Sequence, residues 1–579
     1  MIPSEPASRS NSSLTNAQLA LGMAGPYAHW WITAVVMLGF TTAGLSVTVV
    51  NLAFPKIMSS LRADLDTMQW VQTGYMIMQA VMMPSVGWLG ARLGNRRLYL
   101  LALGVFVGGS VLCGLAWDIY SLIGFRLIQA IGAGPLFPIS QVILFQAFPE
   151  NKRGLAMGIS SLGFSFGPMV GPVLGGYLLD VTTWRSVFFI NVPVGIVALG
   201  LAFLVLPQPM RPESRRLDIV GMLTLAVFLV SFLLAMSQGR TEGWDSPYIL
   251  TLLGMAALAG TSFVIAELHN PQPFVELRLY RHFAFAMASL VVFLNTLSFM
   301  ATNFVVTLFL QMQLDFTPLQ SAWMMMPAAV VIGTLSVFSG RLSDIVSPKV
   351  LIIFGLVLVS WCIMQYAAIT AWTSIGMITF WLTARGFARA FTIAPLSAAS
   401  LKTLPETQVR MGSGLLSLNR GIASASSVAL AATLFQNRLA ERAILLAQDQ
   451  SLASSGRDDL LATLTTMFLR LGDLSQLAQT KAMATAQRLL TSEAALHSYH
   501  DTFMIIASLS AVGILPALWM HARRQTEPAP AAIDSSPEPS ESTSPVTPSP
   551  TVAHANGASQ PAARMAAVST NASAHRTAS

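Results

Sequence analysis

The chain has 579 residues, 54% of them hydrophobic and only 10% charged, with a mean hydropathy of +0.61. Soluble domains carry about 25% charged residues, so this composition excludes a soluble globular protein and describes an all-α polytopic membrane protein. The net charge of +7 is no nucleic-acid signature, because Lys and Arg sit in short connections between apolar runs; Cys113 and Cys362 both fall inside such runs and leave no disulfide framework.

Residues 1–29 are polar with one basic residue, Arg9, and lack the basic n-region and cleavage pattern of a signal peptide. A crossing of the roughly 30 Å hydrocarbon layer needs about 20 apolar residues. Such runs are expected at 30–54, 70–90, 98–117, 120–145, 154–179, 187–207, 218–237, 248–267, 284–311, 320–340, 350–369, 374–398, 411–436 and 501–521, which makes fourteen transmembrane helices. With the N-terminus inside, the short inner segments and termini hold 17 Lys and Arg, whereas the outer short loops hold only Lys56, Arg62, Arg185 and Arg240. That asymmetry places both termini on the cytoplasmic side.

After the second run comes Gly87-Trp-Leu-Gly-Ala-Arg-Leu-Gly-Asn-Arg-Arg97, and after the tenth a second copy, Gly340-Arg-Leu-Ser-Asp-Ile-Val-Ser-Pro-Lys349. Gly87 and Gly94 permit a tight reversal, while Arg92, Arg96 and Arg97 sit at the inner surface, as ordinary positive-inside charge or bonded to helix-end carbonyls and anionic lipid. Setting aside runs seven and eight as an insertion leaves six plus six. The expected organisation is therefore a polar segment 1–29, a six-helix bundle 30–207, two inserted helices with their loops 208–283, a second six-helix bundle 284–521 and a disordered cytoplasmic tail 522–579. Parallel halves with a site between them at mid-membrane describe alternating access.

Arg126, in the fourth run with Gln129 one turn on, is a permanent charge inside a span, which by default faces a cavity and works. In the fifth run Gly163, Gly167, Gly171 and Gly175, with Gly176, Pro168 and Pro172 among them, put a side-chain-free ridge on one helix face. Such a ridge lets another backbone come close, either as simple helix packing or as a seam along which two parts of the molecule slide. Arg385 and Arg389 in the twelfth run are four apart and share a face, with no acid in the same run; Arg420 in the thirteenth is a further candidate. Arg126 with Arg385 or Arg389 then forms a cationic clamp for an anionic solute, and Asn51 and Asn303 supply polar contacts. Met324-Met-Met326, Trp323, Phe299 and Phe304 are adaptable packing or the lining of a permissive cavity. Residues 437–500 show helical apolar spacing on the outer side, fit for a surface cap or a docking surface.

The sequence resembles the fourteen-span drug:proton antiporters of the major facilitator superfamily, the EmrB/QacA type, over about 30–520. The likeness rests on Thr48-Val-Val-Asn-Leu-Ala-Phe-Pro55, Trp70-Val-Gln-Thr-Gly-Tyr75, the Gly87–Arg97 loop, Arg126-Leu-Ile-Gln-Ala-Ile-Gly-Ala-Gly-Pro135, the fifth-run glycines, Trp184-Arg-Ser-Val-Phe-Phe-Ile-Asn-Val-Pro193 and Pro271-Gln-Pro-Phe-Val-Glu-Leu277. The resemblance implies the major facilitator fold and a multidrug efflux antiporter of the bacterial inner membrane, working with protons, a periplasmic adaptor and an outer-membrane channel. It makes the fifth-run ridge the antiporter motif, and the Gly87 loop with its second copy, Gly340 and Asp344, the inner gate.

Two departures stand out. The family's gate Asp is Ala91 here, kept only in the second copy as Asp344. Its first-run Leu-Asp-x-Thr, whose Asp resembles a coupling carboxylate, reads Leu45-Ser-Val-Thr48, and none of the 26 acids falls mid-run. Coupling then passes through an end-located acid such as Asp315, travels with the substrate's own charge, or is absent, and an uncoupled, transporter-like sensor stays open. A membrane enzyme acting on lipid-linked substrates would need acids or histidines at the bilayer face. No phosphate-cradling loop, dinucleotide motif or metal-ligand spacing occurs, so no cofactor and no metal are expected.

Overall fold

A peptide group outside a helix finds no partner in hydrocarbon, and the chain meets that constraint with helices. The computed structural model describes residues 27–207, 218–370, 372–452, 454–471 and 474–520; the expected tail and most of the N-terminal segment lie outside them. Among the described residues there is no strand. The first half runs α1 (Ala28–Leu61), α2 (Leu65–Met82), a 3-10 turn (Met83–Ser85), α3 (Val86–Leu93), α4 (Asn95–Gly114), α5 (Ile119–Ala147), α6 (Arg153–Val181), α7 (Ser186–Phe189) and α8 (Asn191–Val205). The inserted pair is α9 (Ile219–Glu242) and α10 (Pro247–His269). The second half runs α11 (Phe283–Met312), α12 (Pro318–Ile345), α13 (Pro348–Tyr366), α14 (Ile375–Lys402), α15 (Val409–Leu452), α16 (Ser454–Arg470), α17 (Ser475–Val512) and α18 (Ile514–Trp519).

Ten helices among the described residues carry the length and hydropathy of a crossing. The other four expected segments lie on α2, α6, α14 and α15, helices whose Gly, Gln, Ser and Arg lower their hydropathy. Local signals start several helices. Asp118 and Ser121 form a reciprocal capping box on α5, which holds the Asp118 carboxyl below its usual range through the Ser121 hydroxyl first and its backbone N–H second. Thr317 and Gln320 do the same for α12.

Two boundaries differ from expectation. Residues 86–93 of the Gly87–Arg97 loop are helical, and the reversal falls on Gly94 alone, at φ +80°. The fourteenth crossing belongs to a helix that starts at Ser475 rather than near 501, and α15 runs on to Leu452, so the expected outer segment is built of helices that rise beyond the core.

One end of the molecule gathers Arg92, Arg96, Arg97, Arg153, Lys402 and Arg410, and is called the basic end below. There α6 of the first half lies against α12 of the second as a zipper of small residues. A Cβ on Gly154 would stand 2.3 Å from the Gly340 carbonyl oxygen, one on Gly158 2.3 Å from that of Ser336, and one on Gly340 2.9 Å from the Gly158 Cα. Larger residues would separate the two backbones, as in other small-xxx-small crossings.

Candidate functional site

Arg126 sits roughly 10 Å along α5 and is completely buried. Its Nε donates to the Val71 carbonyl (3.3 Å), Nη1 to Gln129 Oε1 (2.7 Å) and Ser46 Oγ (3.1 Å), and Nη2 to Gln72 Oε1 (3.2 Å). The guanidinium lies 4.0 Å from the Tyr75 ring centre, and Gln129 passes the network on by donating to Ser110 Oγ at 2.5 Å. Every polar partner is neutral. A buried guanidinium is held here by dipoles and a ring face, without a counter-charge. Ser46 is the residue where the family resemblance places Asp, and its hydroxyl faces Arg126.

Arg385 and Arg389 share the face of α14 turned to α11. Arg385 Nη2 donates to Asn303 Oδ1 at 2.5 Å, and Arg389 Nη1 donates to the Asn295 side-chain oxygen and to its carbonyl at 3.0 Å. The Phe299 ring lies between them, 5.3 Å from Arg385 and 4.1 Å from Arg389. Both side chains are buried, and each keeps a nitrogen without a partner, Nη1 of Arg385 and Nε of Arg389. Two adjacent guanidiniums with spare donors and no carboxylate make a place where an anion would complete the bonding. Arg126 and this pair have separate shells, one wholly in the first half and one wholly in the second, so the clamp expected between them is not assembled in this conformation. Arg420 bridges the halves: Nη2 donates to Ser397 Oγ (2.9 Å) and Nη1 to Gln141 Oε1 (3.5 Å).

The two halves are fastened at the basic end. Asp344, at the end of α12, accepts from the backbone N–H groups of Gly154 (2.7 Å) and Leu155 (2.9 Å), the first turn of α6, and from Lys402 Nζ (3.2 Å). The α6 N-cap position, Lys152, offers no side-chain bond, so a carboxylate from the opposite half caps this helix. Arg153 reaches Glu406 at 2.5 Å and lies 4.5 Å from the Phe145 ring. On the other flank Arg410 Nη1 donates to the Gly90 carbonyl at 2.9 Å, Gly87 abuts Met411, and Ser413 donates to the Pro138 carbonyl at 3.1 Å. Ala91, where the family resemblance places Asp, is buried beside Gly90, whose carbonyl accepts from Arg410.

The glycine ridge of α6 packs on a helix of its own half, the first of the two alternatives. A Cβ on Gly163 would meet Met37 and Phe40, on Gly167 the Gly44 backbone at 2.4 Å, on Gly171 Thr48 and on Gly175 Val49, all from α1 of the same half. Gly176 faces open space. The contact with the opposite half runs along another face, through Gly154 and Gly158, one turn apart, and on to Leu162 and Ser165 against Gly333 of α12. Of the other expected residues, Arg92 lies against Trp88 (5.3 Å to the ring centre), Arg96 donates to the Phe203 carbonyl at 2.5 Å, and Arg97 is exposed. The side chains of Asn51, Pro168 and Pro172 lie outside the described residues. Asp315, raised above as a coupling acid, occupies a left-handed turn (φ +52°) at the end of α11, a conformation Asp tolerates. Sequence reasoning passed over Gln72, Ser110, Asn295, Lys402 and Gly158; lone polar residues in the neighbouring apolar spans were the available signal.

The family model of the Major Facilitator Superfamily matches residues 36–428, more than half of the chain. The chain is a member of that superfamily. Among relatives of this major facilitator, the multidrug export protein EmrB of Escherichia coli (strain K12) is 29% identical over 406 residues, 68% of this chain and 78% of that protein. The uncharacterized MFS-type transporter YhcA of Bacillus subtilis (strain 168) is 31% identical over 404 residues, 70% of this chain and 76% of that one. The putative multidrug resistance protein MdtD of Salmonella heidelberg (strain SL476) is 30% identical over 413 residues, 70% of this chain and 86% of that one. The crystal structure of the human organic anion transporter MFSD10 (TETRAN) superposes with a TM-score of 0.55 at 16% identity, over 84% of this chain and 100% of that one, a likeness of fold.

Proposed function

We propose that this major facilitator exports small amphipathic solutes bearing a carboxylate or similar anionic group, by alternating access, from a bacterial inner membrane with its basic end and both termini in the cytoplasm. The observation that carries the reading is the Arg385–Arg389 pair, buried, without a counter-ion and with spare donors. Multidrug relatives of similar length support efflux as the direction. The conformation described is then the one closed to the cytoplasm, and opening requires Asp344 to release α6 and the Gly154–Gly340 and Gly158–Ser336 approaches to part. Arg126 shapes the first half's side of the path, and Phe299 supplies the apolar contact an amphipathic solute needs. Protons are the proposed driving ion, and the helices past residue 437, at the end opposite the basic one, are the proposed seat of a periplasmic adaptor leading to an outer-membrane channel.

The test is export from reconstituted vesicles of two solutes matched in size and apolar surface, one anionic and one cationic. Arg389→Ala and Arg126→Ala should each lower anion export more than cation export; unchanged anion export in both ends the reading. A second reading is favoured by Ser46, which leaves Arg126 without the carboxylate that the family resemblance places there: the chain binds its solute and signals without pumping. Solute binding with no flux across the same vesicles, and no pH change reported by an entrapped dye, would decide for it.

A further inference from the structure

Asp218 and Glu267 close the basic end of the inserted pair, one just before α9 and the other near the end of α10. Both are buried, at 8% and 1% exposure. Asp218 Oδ1 caps α9 by accepting from the Gly221 N–H at 2.9 Å, and Glu267 Oε1 accepts from the Val275 N–H at 3.3 Å. The remaining oxygens, Asp218 Oδ2 and Glu267 Oε2, have no partner. The two carboxyl groups meet over the bare Cα of Gly221: a Cβ there would stand 2.5 Å from Glu267 Oε1 and 2.7 Å from Asp218 Oδ2.

Among the described residues the surrounding charges do not compensate them. Among the described residues no basic nitrogen forms an ion pair with either acid. Arg278 donates to the Leu268 and Asn270 carbonyls, and the His269 ring is bonded to the Ile265 carbonyl. Glu276, Tyr280, Arg281 and His282 follow on the linker to α11, with Arg281 and His282 exposed. From α15, which packs against α9, Arg410 and Arg420 are engaged with Gly90, Gln141 and Ser397; α2, the other neighbour, carries its acids at its opposite end. Arg211, Arg215 and Arg216 precede Asp218 outside the described residues.

Two carboxylates this close in a dry site do not both ionise readily, and a single proton held between Asp218 Oδ2 and Glu267 Oε1, the oxygens that meet over Gly221, removes one of the two charges. We propose that Asp218 and Glu267 form a proton-binding site of the inserted helices, exchanging one proton with water at the basic end. The Val275 N–H that donates to Glu267 belongs to a linker, buried at Phe274, Val275 and Leu279, that enters α11 four residues after Leu279. Loss of the proton leaves two negative charges around Gly221 that repel each other, while the ionised Glu267 holds the Val275 N–H more tightly, so occupancy of the site is tied to the linker that enters the first helix of the second half.

The test uses the full-length protein in lipid nanodiscs and follows the C=O stretch of protonated carboxyl groups by infrared difference spectroscopy across a rise in pH. The wild type should show this band at neutral pH and lose it on alkalinisation; Glu267→Gln should abolish it, and Asp218→Asn should move its loss to lower pH. Absence of the band in the wild type at neutral pH, the result expected if Arg215 or Arg216 neutralises the pair, overturns the proposal. So does a band that both variants leave unchanged. Should Glu267→Gln fail to fold, Asp218→Asn and the wild-type titration decide alone. The readout needs neither solute nor flux, so its failure and that of the export reading are separable.

Discussion

Replacing Asp344 by Asn isolates the bond that holds the two halves together. The wild-type carboxylate accepts two backbone N–H bonds, at 2.7 and 2.9 Å, and one from Lys402 at 3.2 Å, with its side chain only 6% exposed. Charge-assisted bonds contribute about 1.5–3 kcal/mol, and a partly buried charge at a helix terminus up to about 2 kcal/mol. The amide keeps one acceptor but turns an NH2 group toward a backbone N–H or the Lys402 ammonium. A net loss of about 2–3 kcal/mol follows, or roughly 30- to 150-fold in the equilibrium between closed and open basic ends at 1.36 kcal/mol per tenfold. Spin labels on cysteines placed at Asn151 and Ser347, both exposed on opposite halves, report the separation by pulsed electron resonance. The native Cys113 and Cys362 are buried and stay unlabelled. The variant should add a long-distance population that the wild type lacks. An identical distance distribution in the two proteins would refute the assignment of closure to this carboxylate.

Gly167→Ala drives a methyl into the Gly44 backbone and should cost about 1–3 kcal/mol by overpacking, read as a lower thermal midpoint in detergent; Gly176→Ala, facing open space, should be neutral or raise the midpoint through about 0.5–1 kcal/mol of helix propensity. Ser46→Asp gives Arg126 a counter-charge at the 3.1 Å position of the hydroxyl and should raise the thermal midpoint, whereas Ser46→Ala should lower stability by about 1 kcal/mol; a midpoint lowered by the Asp variant as well contradicts the uncompensated-charge account. Arg389→Lys retains the charge but loses the planar guanidinium over the Phe299 ring and the spare Nε donor. It should raise the KM for anionic solutes by about tenfold with the maximal rate preserved, as expected for uniform binding, and an unchanged KM speaks against contact with the solute.

The helical, membrane-spanning architecture was legible because twenty-residue apolar runs have few other uses, and the burial of Arg126 was legible because a charge in such a run needs a protein shell. What the chain did not announce was pairing across the sequence. The every-fourth glycines from 163 to 175 say that some backbone comes close; the Gly44 partner is 123 residues away and no local rule selects it over α12. Gly154 and Gly158 carry the same signature, but the adjoining charges of Lys152 and Arg153 made that stretch read as a helix start. Asn295 was hidden for a related reason. A lone Asn in an apolar helix is ordinary until the Arg389 guanidinium is seen to end on it, and that meeting of α11 with α14 is a property of the assembled half. The Gly87 segment looked like a loop because two glycines flank charged residues, yet only Gly94 has a positive φ, and the rest gains helix bonds that a loop would leave open.

The fastening of the basic end is lopsided, and the lopsidedness says where its strength lies. The first-half copy of the repeated motif has Ala91 in place of an acid and offers the neutral Gly90 carbonyl to Arg410. The second-half copy offers Asp344, nearly dry, to the open turn of α6. The shortest ion pair across the halves, Arg153 to Glu406, has its carboxylate 70% exposed, and such pairs contribute about 0–1 kcal/mol and weaken in salt. In the proposed cycle, closure therefore rests on the Asp344 cap together with the Gly154–Gly340 and Gly158–Ser336 approaches, which are short-range and insensitive to screening. Raising ionic strength should leave the closed population nearly unchanged in the wild type. In Asp344→Asn, where the surface pair carries a larger share of what remains, the same salt should open the basic end further, and the label distances at Asn151 and Ser347 read both cases.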